Sequence, residues 1–534
     1  MLDLRHVNEF VNKHSFKYDD LKTFSEMASK NDYFITFDLK SGYHHVDIHS
    51  EHQKYLGFSW IFNEKVRFFV FKVLPFGLSE ACFAFTKLLR PFVKRWRSFG
   101  FKAIIYIDDG INSQGNFSKA LEACNIILND LKNAGFIINY EKSVLKPTQI
   151  GKWLGVIIDT KSLIFEVPKD KIARLSWSIK QALSQVYCSS KHLAKITGHL
   201  SSMHISIGPM ARLFTRSLYQ QIESRITWHE PVQLSSEAKS ELNFWLKNLN
   251  KVNGYSIKPN PAVTKIMFTD ASDTGYGGFT FVKLEKVLCS GRLTYQESLT
   301  SSTARELLAV KYALISFSDI LSGESVQVNI DNINASRILS IGSSKQHLHV
   351  IAVDVFLHCL KHNIKLIPKW IPRDMNKEAD DLSRVRDTDN WSIDQCSYEK
   401  INYMHGPFTY DRFADDLNCK TLKFNSKYHC PGTSGVNAFT FNWKNENNWL
   451  CPPINLIGSC IRHLKICKGK GTLLIPIWES AYFWPLIYPE GKTLAFFIKH
   501  FMVIKPTFQS PITDNVFGQG KSFDCLALKI EFNE

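Results

Sequence analysis

A ten-residue stretch, Phe101-Lys102-Ala103-Ile104-Ile105-Tyr106-Ile107-Asp108-Asp109-Gly110, constrains this chain more than any other. An apolar run that ends in two adjacent carboxylates and a glycine predicts a strand followed by a tight Asp-Gly turn. In that register Asp108 and Asp109 point to opposite faces. Carboxylates at a turn are often no more than solvated turn formers. A second run, Tyr33-Phe34-Ile35-Thr36-Phe37-Asp38-Leu39, also buries its body and ends in one carboxylate. Divalent cations in phosphoryl transfer need anionic oxygens that converge from separate elements, and this pair of runs would supply them.

Tyr106-Ile107-Asp108-Asp109 resembles the Y-x-D-D motif of reverse transcriptases. Phe37-Asp38-Leu39-Lys40-Ser41-Gly42-Tyr43 resembles their first aspartate motif, and Leu74-Pro75-Phe76-Gly77-Leu78 the segment between the two in retrotransposon enzymes. Three motifs in family order are far more specific than one. Phe136-Ile137-Ile138-Asn139-Tyr140-Glu141-Lys142 resembles the fourth motif, with Lys142 at its lysine. Gly151-Lys152-Trp153-Leu154-Gly155 resembles the turn that grips the primer terminus; a tryptophan flanked by glycines suits such a hairpin and equally a core. The resemblance implies an RNA-directed DNA polymerase in which Asp38, Asp108 and Asp109 hold Mg²⁺, with Mn²⁺ as the alternative. It implies that Tyr43 excludes a 2′-hydroxyl and that Lys142 protonates the leaving pyrophosphate. Pro75, Gly77, Tyr106, Trp153, Leu154 and Gly155 would contact nucleotide or primer. RNA template, DNA primer and dNTPs are the implied partners.

A second set of acids follows a polar, proline-bearing linker at 253–261. Asp270 ends the run Ile266-Met267-Phe268-Thr269, and a glycine-rich hairpin, Gly275-Tyr276-Gly277-Gly278, comes next. Glu306 lies in a helix opened by Ser301 or Ser302 as N-cap. Asp331 ends a strand at 326–330, and Asp380 follows Asn376-Lys377-Glu378-Ala379. The four resemble the ribonuclease H metal set, which implies two-metal cleavage of RNA–DNA hybrids. Many such domains carry a mobile histidine loop before the last aspartate. Here that place reads Trp370-Ile371-Pro372-Arg373-Asp374-Met375, with no histidine, a wording similar to retrotransposon domains.

The expected fold class is α+β and multidomain. Residues 1–156 form a right-hand polymerase palm with partial fingers, and 157–252 a helical thumb or connection. Residues 262–386 form an α/β ribonuclease H-like domain, and 387–534 a C-terminal aromatic-rich domain. Periodicity predicts helices within 17–30, at 79–98, at 116–134 closed by Gly135, and from 168 onward, including 213–226 and 238–249. Residues 54–60 and 66–73 read as a hairpin turning at Asn63-Glu64. His44, His45, His49 and His52 read as alternation on an exposed strand and turn rather than as a metal site.

A formal net charge of +15 favours a polyanionic partner. The opening Met1-Leu2-Asp3-Leu4-Arg5-His6 is not a secretory segment, and no apolar run is long enough to span a bilayer. The twelve cysteines are then expected reduced, in the cytoplasm or nucleus. Cysteines between 396 and 467 form no C-x-x-C pair, so buried thiols are expected rather than zinc.

Past residue 386 the chain turns rich in aromatics, as in Phe439-Thr440-Phe441-Asn442-Trp443 and Trp449-Leu450-Cys451-Pro452-Pro453. A packed satellite domain is favoured over a single-strand stacking surface. Asp411-Arg412-Phe413-Ala414 and the Trp-Pro stretches resemble the region after ribonuclease H in DIRS-type retroelements. The last ~30 residues show no pattern. Asp3-Leu4-Arg5-His6-Val7-Asn8 resembles the middle of the family's first block, so the basic fingers segment is expected upstream of Met1. The alternative function is a catalytically weak or silent nucleic-acid-binding remnant.

Overall fold

The computed structural model describes residues 3–258, 262–385, 390–489, 491, 493–510, 513 and 516–532. Residues 259–261 of the expected linker, and the border expected at 386–387, lie outside the described residues. The chain divides into two compact units, 1–261 and 262–534.

In the first unit an antiparallel sheet runs in the order Lys102–Tyr106, Asp109–Gln114, Tyr33–Asp38, Val144–Thr148. Alternation splits its side chains between two cores. Ile35, Phe37, Ala103 and Ile105 pack on helices Ala81–Ser98 and Phe117–Asn133. Phe34, Ile104 and Ile111 pack with Phe24, Trp153 and Phe165 on the other face. The helix Phe117–Asn133 begins where the Asn116 side chain accepts the Lys119 N–H and ends at Gly135, whose φ is +86°. The hairpin Gly57–Phe62 and Lys65–Val70 turns at Asn63-Glu64, both with positive φ. This is a turn matched to strand twist.

Four expectations need correction in this unit. The four histidines lie on or beside the 3-10 turns Gly42–His45 and Ser50–Leu56, not on a strand, because Ser41 at φ +60° reverses the chain. Residues Tyr255–Ser256, read as linker, form an edge strand in the order Tyr255–Ser256, Ile164–Glu166, Val156–Asp159, Ile150–Trp153. The border expected after residue 156 falls inside Val156–Asp159. The single helix expected at 213–226 is broken into Met210–Leu213 and Arg216–Glu223. The buried Glu241 carboxylate accepts the N–H groups of Ser217 and Leu218 and so caps the second piece. Helices Lys169–Ser184, Ser190–Ser202 and Ser236–Val252 complete the unit's helical part.

The second unit holds two five-stranded sheets. The first runs Glu285–Arg292, Gly275–Val282, Lys265–Ala271, Ser325–Ile330, Lys365–Trp370, antiparallel through the first three and parallel beyond. Helix Ser302–Ser316 packs on it. The second runs Tyr410–Asp411, Asn447–Leu450, Lys470–Pro476, Cys525–Glu531, Ile498–Ile504. Trp443, Leu450 and Phe483 fill the core on one face, and Trp391, Tyr398 and Trp449 the core on the other. These tryptophans are core residues, as a packed domain requires. The two layers meet where His429 stacks on Tyr312, donates its N–H to Ser316 Oγ and accepts the Tyr276 hydroxyl at its carbonyl. All twelve cysteines are free. Among the described residues no helix is long and apolar enough to cross a membrane.

Candidate active sites

In the first unit the turn falls one position earlier than Asp-Gly predicts. Tyr106 pairs with Asp109 and Ile105 with Gly110, so Ile107-Asp108 is the loop. Ile107 takes φ +57°, a strained conformation for a β-branched residue. Gly110 is a strand residue: a methyl group there would overlap the Phe37 ring. The glycine is thus needed for packing rather than for the turn. Because Asp108 lies in the loop, strand alternation does not send it away from Asp109.

Asp109 stands directly across from Asp38. Leu39 donates its N–H to the Asp108 carbonyl at 3.0 Å. Asp38 donates its N–H to Ser143 Oγ at 3.0 Å, and its carbonyl accepts the Asn139 N–H at 2.8 Å. Three segments are so tied at one sheet end; Ser143, one residue past Lys142, carries no recognisable sequence signal for this role. Burial, reinforced by the Asp108 and Asp38 charges, pushes Asp109 up to about 6. Burial and then Asp38 also raise Asp108, while Lys142 opposes both shifts. Half-buried carboxylates that resist ionising together fit a cationic occupant.

The other expected contacts divide. Tyr43 is 8% exposed, its ring 5.2 Å from Phe76 and 5.5 Å from Phe85, with its hydroxyl 2.7 Å from Cys82 Sγ. Gly77, at φ +103°, accepts the Asn8 side-chain N–H at its carbonyl. Tyr106 packs on Tyr18. Leu154 and Gly155 form a tight turn, both at positive φ, and the Gly155 carbonyl accepts Lys171 Nζ. Trp153 is only 3% exposed, packed with Phe24 and Phe165, and Pro75 is also buried. Trp153 thus packs in the core behind its turn, and Pro75 is buried beside Leu74.

In the second unit Asp270 comes from a central strand, Glu306 from helix Ser302–Ser316, and Asp331 from the residue after strand Ser325–Ile330. Ser301 caps that helix by accepting the Ala304 N–H. Oxygens of Asp270, Glu306 and Asp331 lie within 4.8 Å of one another, and no other described group of three such ligands does. They line a pocket of about 450 Å³ with Arg373, Asp380 and Arg384. Asp270 Oδ2 and Glu306 Oε2 are buried without a hydrogen-bond partner. Burial first, then neighbouring carboxylates, pushes Glu306 up to about 9 and Asp270 to about 6. Orphaned acceptors among mutually repelling acids fit a divalent cation.

Asp380 does not join this cluster. Arg384 Nη2 holds its Oδ1 at 2.9 Å, Arg373 Nη2 lies at 3.6 Å, and the Arg384 bond keeps its carboxyl low. Three of the four expected acids thus converge, and the fourth lines the same pocket, held by two arginines. Arg384 had a legible signal, since it stands four residues beyond Asp380 on a helical stretch.

The family described as reverse transcriptase (RNA-dependent DNA polymerase) matches residues 1–158. The chain is 27% identical over 322 residues to an enzymatic polyprotein of figwort mosaic virus, covering 59% of this chain and 45% of the relative. It is 24% identical over 401 residues to a retrovirus-related Pol polyprotein from transposon opus of Drosophila melanogaster, covering 72% and 37%. It thus spans less than half the length of either. A solved foamy viral protease-reverse transcriptase in complex with RNA/DNA hybrid is similar at 19% identity and a TM-score of 0.44, covering 73% of this chain and 50% of that one. Residues 1–158 match the reverse transcriptase family, and the chain is similar to Pol polyproteins of retrotransposons and pararetroviruses.

Proposed function

We propose that this chain is an RNA-directed DNA polymerase with ribonuclease H activity on RNA–DNA hybrids, serving a retroelement most like the DIRS type. The observation that carries the reading is the presence of two separate carboxylate sets, one in each unit, of which the second leaves two buried oxygens unsatisfied. Asp38, Asp108 and Asp109 would hold Mg²⁺ or Mn²⁺ in the first unit, and Asp270, Glu306 and Asp331 in the second. When bound, these ions would activate the primer hydroxyl or a water and neutralise charge on the phosphate under attack.

The chain's own residues supply the rest. Lys142 faces the first acid set and can hold a proton for the departing pyrophosphate. Tyr43, braced by Phe76 and Phe85, would serve as a fixed wall against a 2′-hydroxyl. Arg373 and Arg384 are free to exchange Asp380 for a strand phosphate, which would release Asp380 toward the cluster. The charge of +15 suits an RNA template, a DNA primer and their hybrid.

The test is primer extension on an RNA template, with cleavage of a labelled hybrid in parallel, each with Mg²⁺ and with EDTA. Metal-dependent incorporation together with metal-dependent cleavage is expected. Template binding without either activity would instead identify a silent nucleic-acid-binding remnant.

A further inference from the structure

The second unit holds a half-open cavity of about 860 Å³ between its first sheet and the aromatic-rich layer. Arg412 lines it and is only 2% exposed. Its guanidinium lies 3.7 Å from the Tyr410 ring centroid. Nε donates to Asn448 Oδ1 at 2.7 Å and Nη1 to Asn425 Oδ1 at 2.8 Å. Both acceptors are neutral amides. Among the described residues Nη2 makes no hydrogen bond and no carboxylate pairs with this guanidinium.

That arrangement is unusual, because a charge removed from water is ordinarily paired. The nearby acids are committed elsewhere, Glu446 to Lys423 at 3.3 Å, although its charge is felt at Arg412. Asp415 accepts the Asn390 side chain and the N–H groups of Leu417 and Asn418. Asp416 pairs with Arg292 at 3.2 Å. Asp319 accepts the Asn437 side chain. Asp411 accepts the N–H groups of Lys420 and Phe413. The cavity walls also carry Phe413 and Phe439, with the amides of Asn390, Asn418 and Asn437. A planar fork fixed at two nitrogens, with Nη2 left unbonded among the described residues, matches a phosphate oxyanion. Aromatic and amide walls in a space of this size suit a nucleobase and sugar attached to it.

We propose that this cavity binds a nucleoside monophosphate unit, with Arg412 as the anchor for its phosphate. The unit has two sources, a free nucleotide or the phosphorylated end of a strand. Arg384 lines both this cavity and the carboxylate pocket, so the two adjoin.

The test is calorimetric titration of the full chain in EDTA with adenosine 5′-monophosphate, with adenosine, and with a 5′-phosphorylated or 5′-hydroxyl RNA tetramer. Adenosine 5′-monophosphate should bind at least ~tenfold more tightly than adenosine, and Arg412→Gln should remove that preference. A tetramer that binds more tightly when phosphorylated identifies the strand end as the ligand, while binding of the mononucleotide alone identifies the free nucleotide. Hydrogen exchange on the wild-type chain should show protection by adenosine 5′-monophosphate at 412–418 and 426–439. This readout stands even if Arg412→Gln fails to fold. Equal affinities for adenosine and its monophosphate, an unchanged preference in folded Arg412→Gln, or protection only elsewhere in the chain would each overturn the proposal.

Discussion

The Asp38–Asp108–Asp109 set and the Asp270–Glu306–Asp331 set are assembled by different routes. The first draws two of its acids from consecutive residues at a hairpin and the third from the strand across from it. The second draws one acid each from a strand, a helix and the end of a neighbouring parallel strand. Only the second brings three ligand oxygens within 4.8 Å among the described residues. The first is half-buried and faces Lys142, whereas the second is more deeply buried and has two arginines of its pocket engaged with Asp380. Nearness in sequence therefore does not by itself produce convergence. Elements that cross in space can aim three carboxylates at one point more closely than a hairpin can.

The sharpest way to break this contrast is to exchange one acid in each set. Asp109→Asn should lower DNA synthesis roughly a thousandfold, because a lost metal ligand removes several kcal/mol of stabilisation, and should leave hybrid cleavage intact. Glu306→Gln should do the reverse. Parallel loss of both activities in either folded variant would abolish the separation.

Gly110→Ala should act on the first set alone. The new methyl group must displace the Phe37 ring, and overpacking of this kind costs roughly 1–3 kcal/mol. Synthesis should fall ~tenfold or more through misplacement of Asp109, together with a lower melting temperature, while hybrid cleavage is retained. A neutral effect on both melting and synthesis would show that the ring has room.

Arg384→Ala sharpens the contrast from the other side. It should weaken hybrid binding in Ca²⁺ by roughly threefold to tenfold, since an exposed arginine contact is worth little more. Primer extension should not change. Unaltered hybrid affinity would leave Arg384 only as a holder of Asp380.

The smallest effect concerns how the second unit carries a buried histidine. Burial pushes the His429 imidazole down to about 4. The unfolded chain takes up this proton near the ordinary value of 6.5 and the folded chain does not, so stability falls as pH drops from 6.5 toward 4. His429→Asn should reduce the fall in melting temperature between pH 7 and pH 4.5, read by scanning calorimetry. Identical falls in variant and wild type would remove neutral His429 from the account.

Much of the fold was legible because its signals are local. The Asn116 cap and Gly135 stop, the Ser301 cap, and the turns at Asn63-Glu64 and Leu154-Gly155 follow from side-chain chemistry and backbone sterics within a few residues. Other features were hidden for equally physical reasons. Strand Cys525–Glu531 is an interior strand of its sheet and is buried on both faces over most of its length, so it shows no polar alternation. The break at Phe214-Thr215 depends on Glu241 and on Trp245, which donates to the Phe214 carbonyl, both far along the chain. The hairpin register turned on Phe37 lying over Gly110, a contact between strands that no local window contains.

By itself the sequence determined which carboxylates exist and that each stands at or near the end of a strand or on a helix, because periodicity and capping are properties of short segments. Which carboxylates meet was decided by tertiary structure. Asp270, Glu306 and Asp331 converge because a sheet and a packed helix bring their oxygens together. Asp380 is held aside because Arg373 and Arg384 reach it first. Charge interactions depend on distance and burial, and neither is written in the order of residues along a chain.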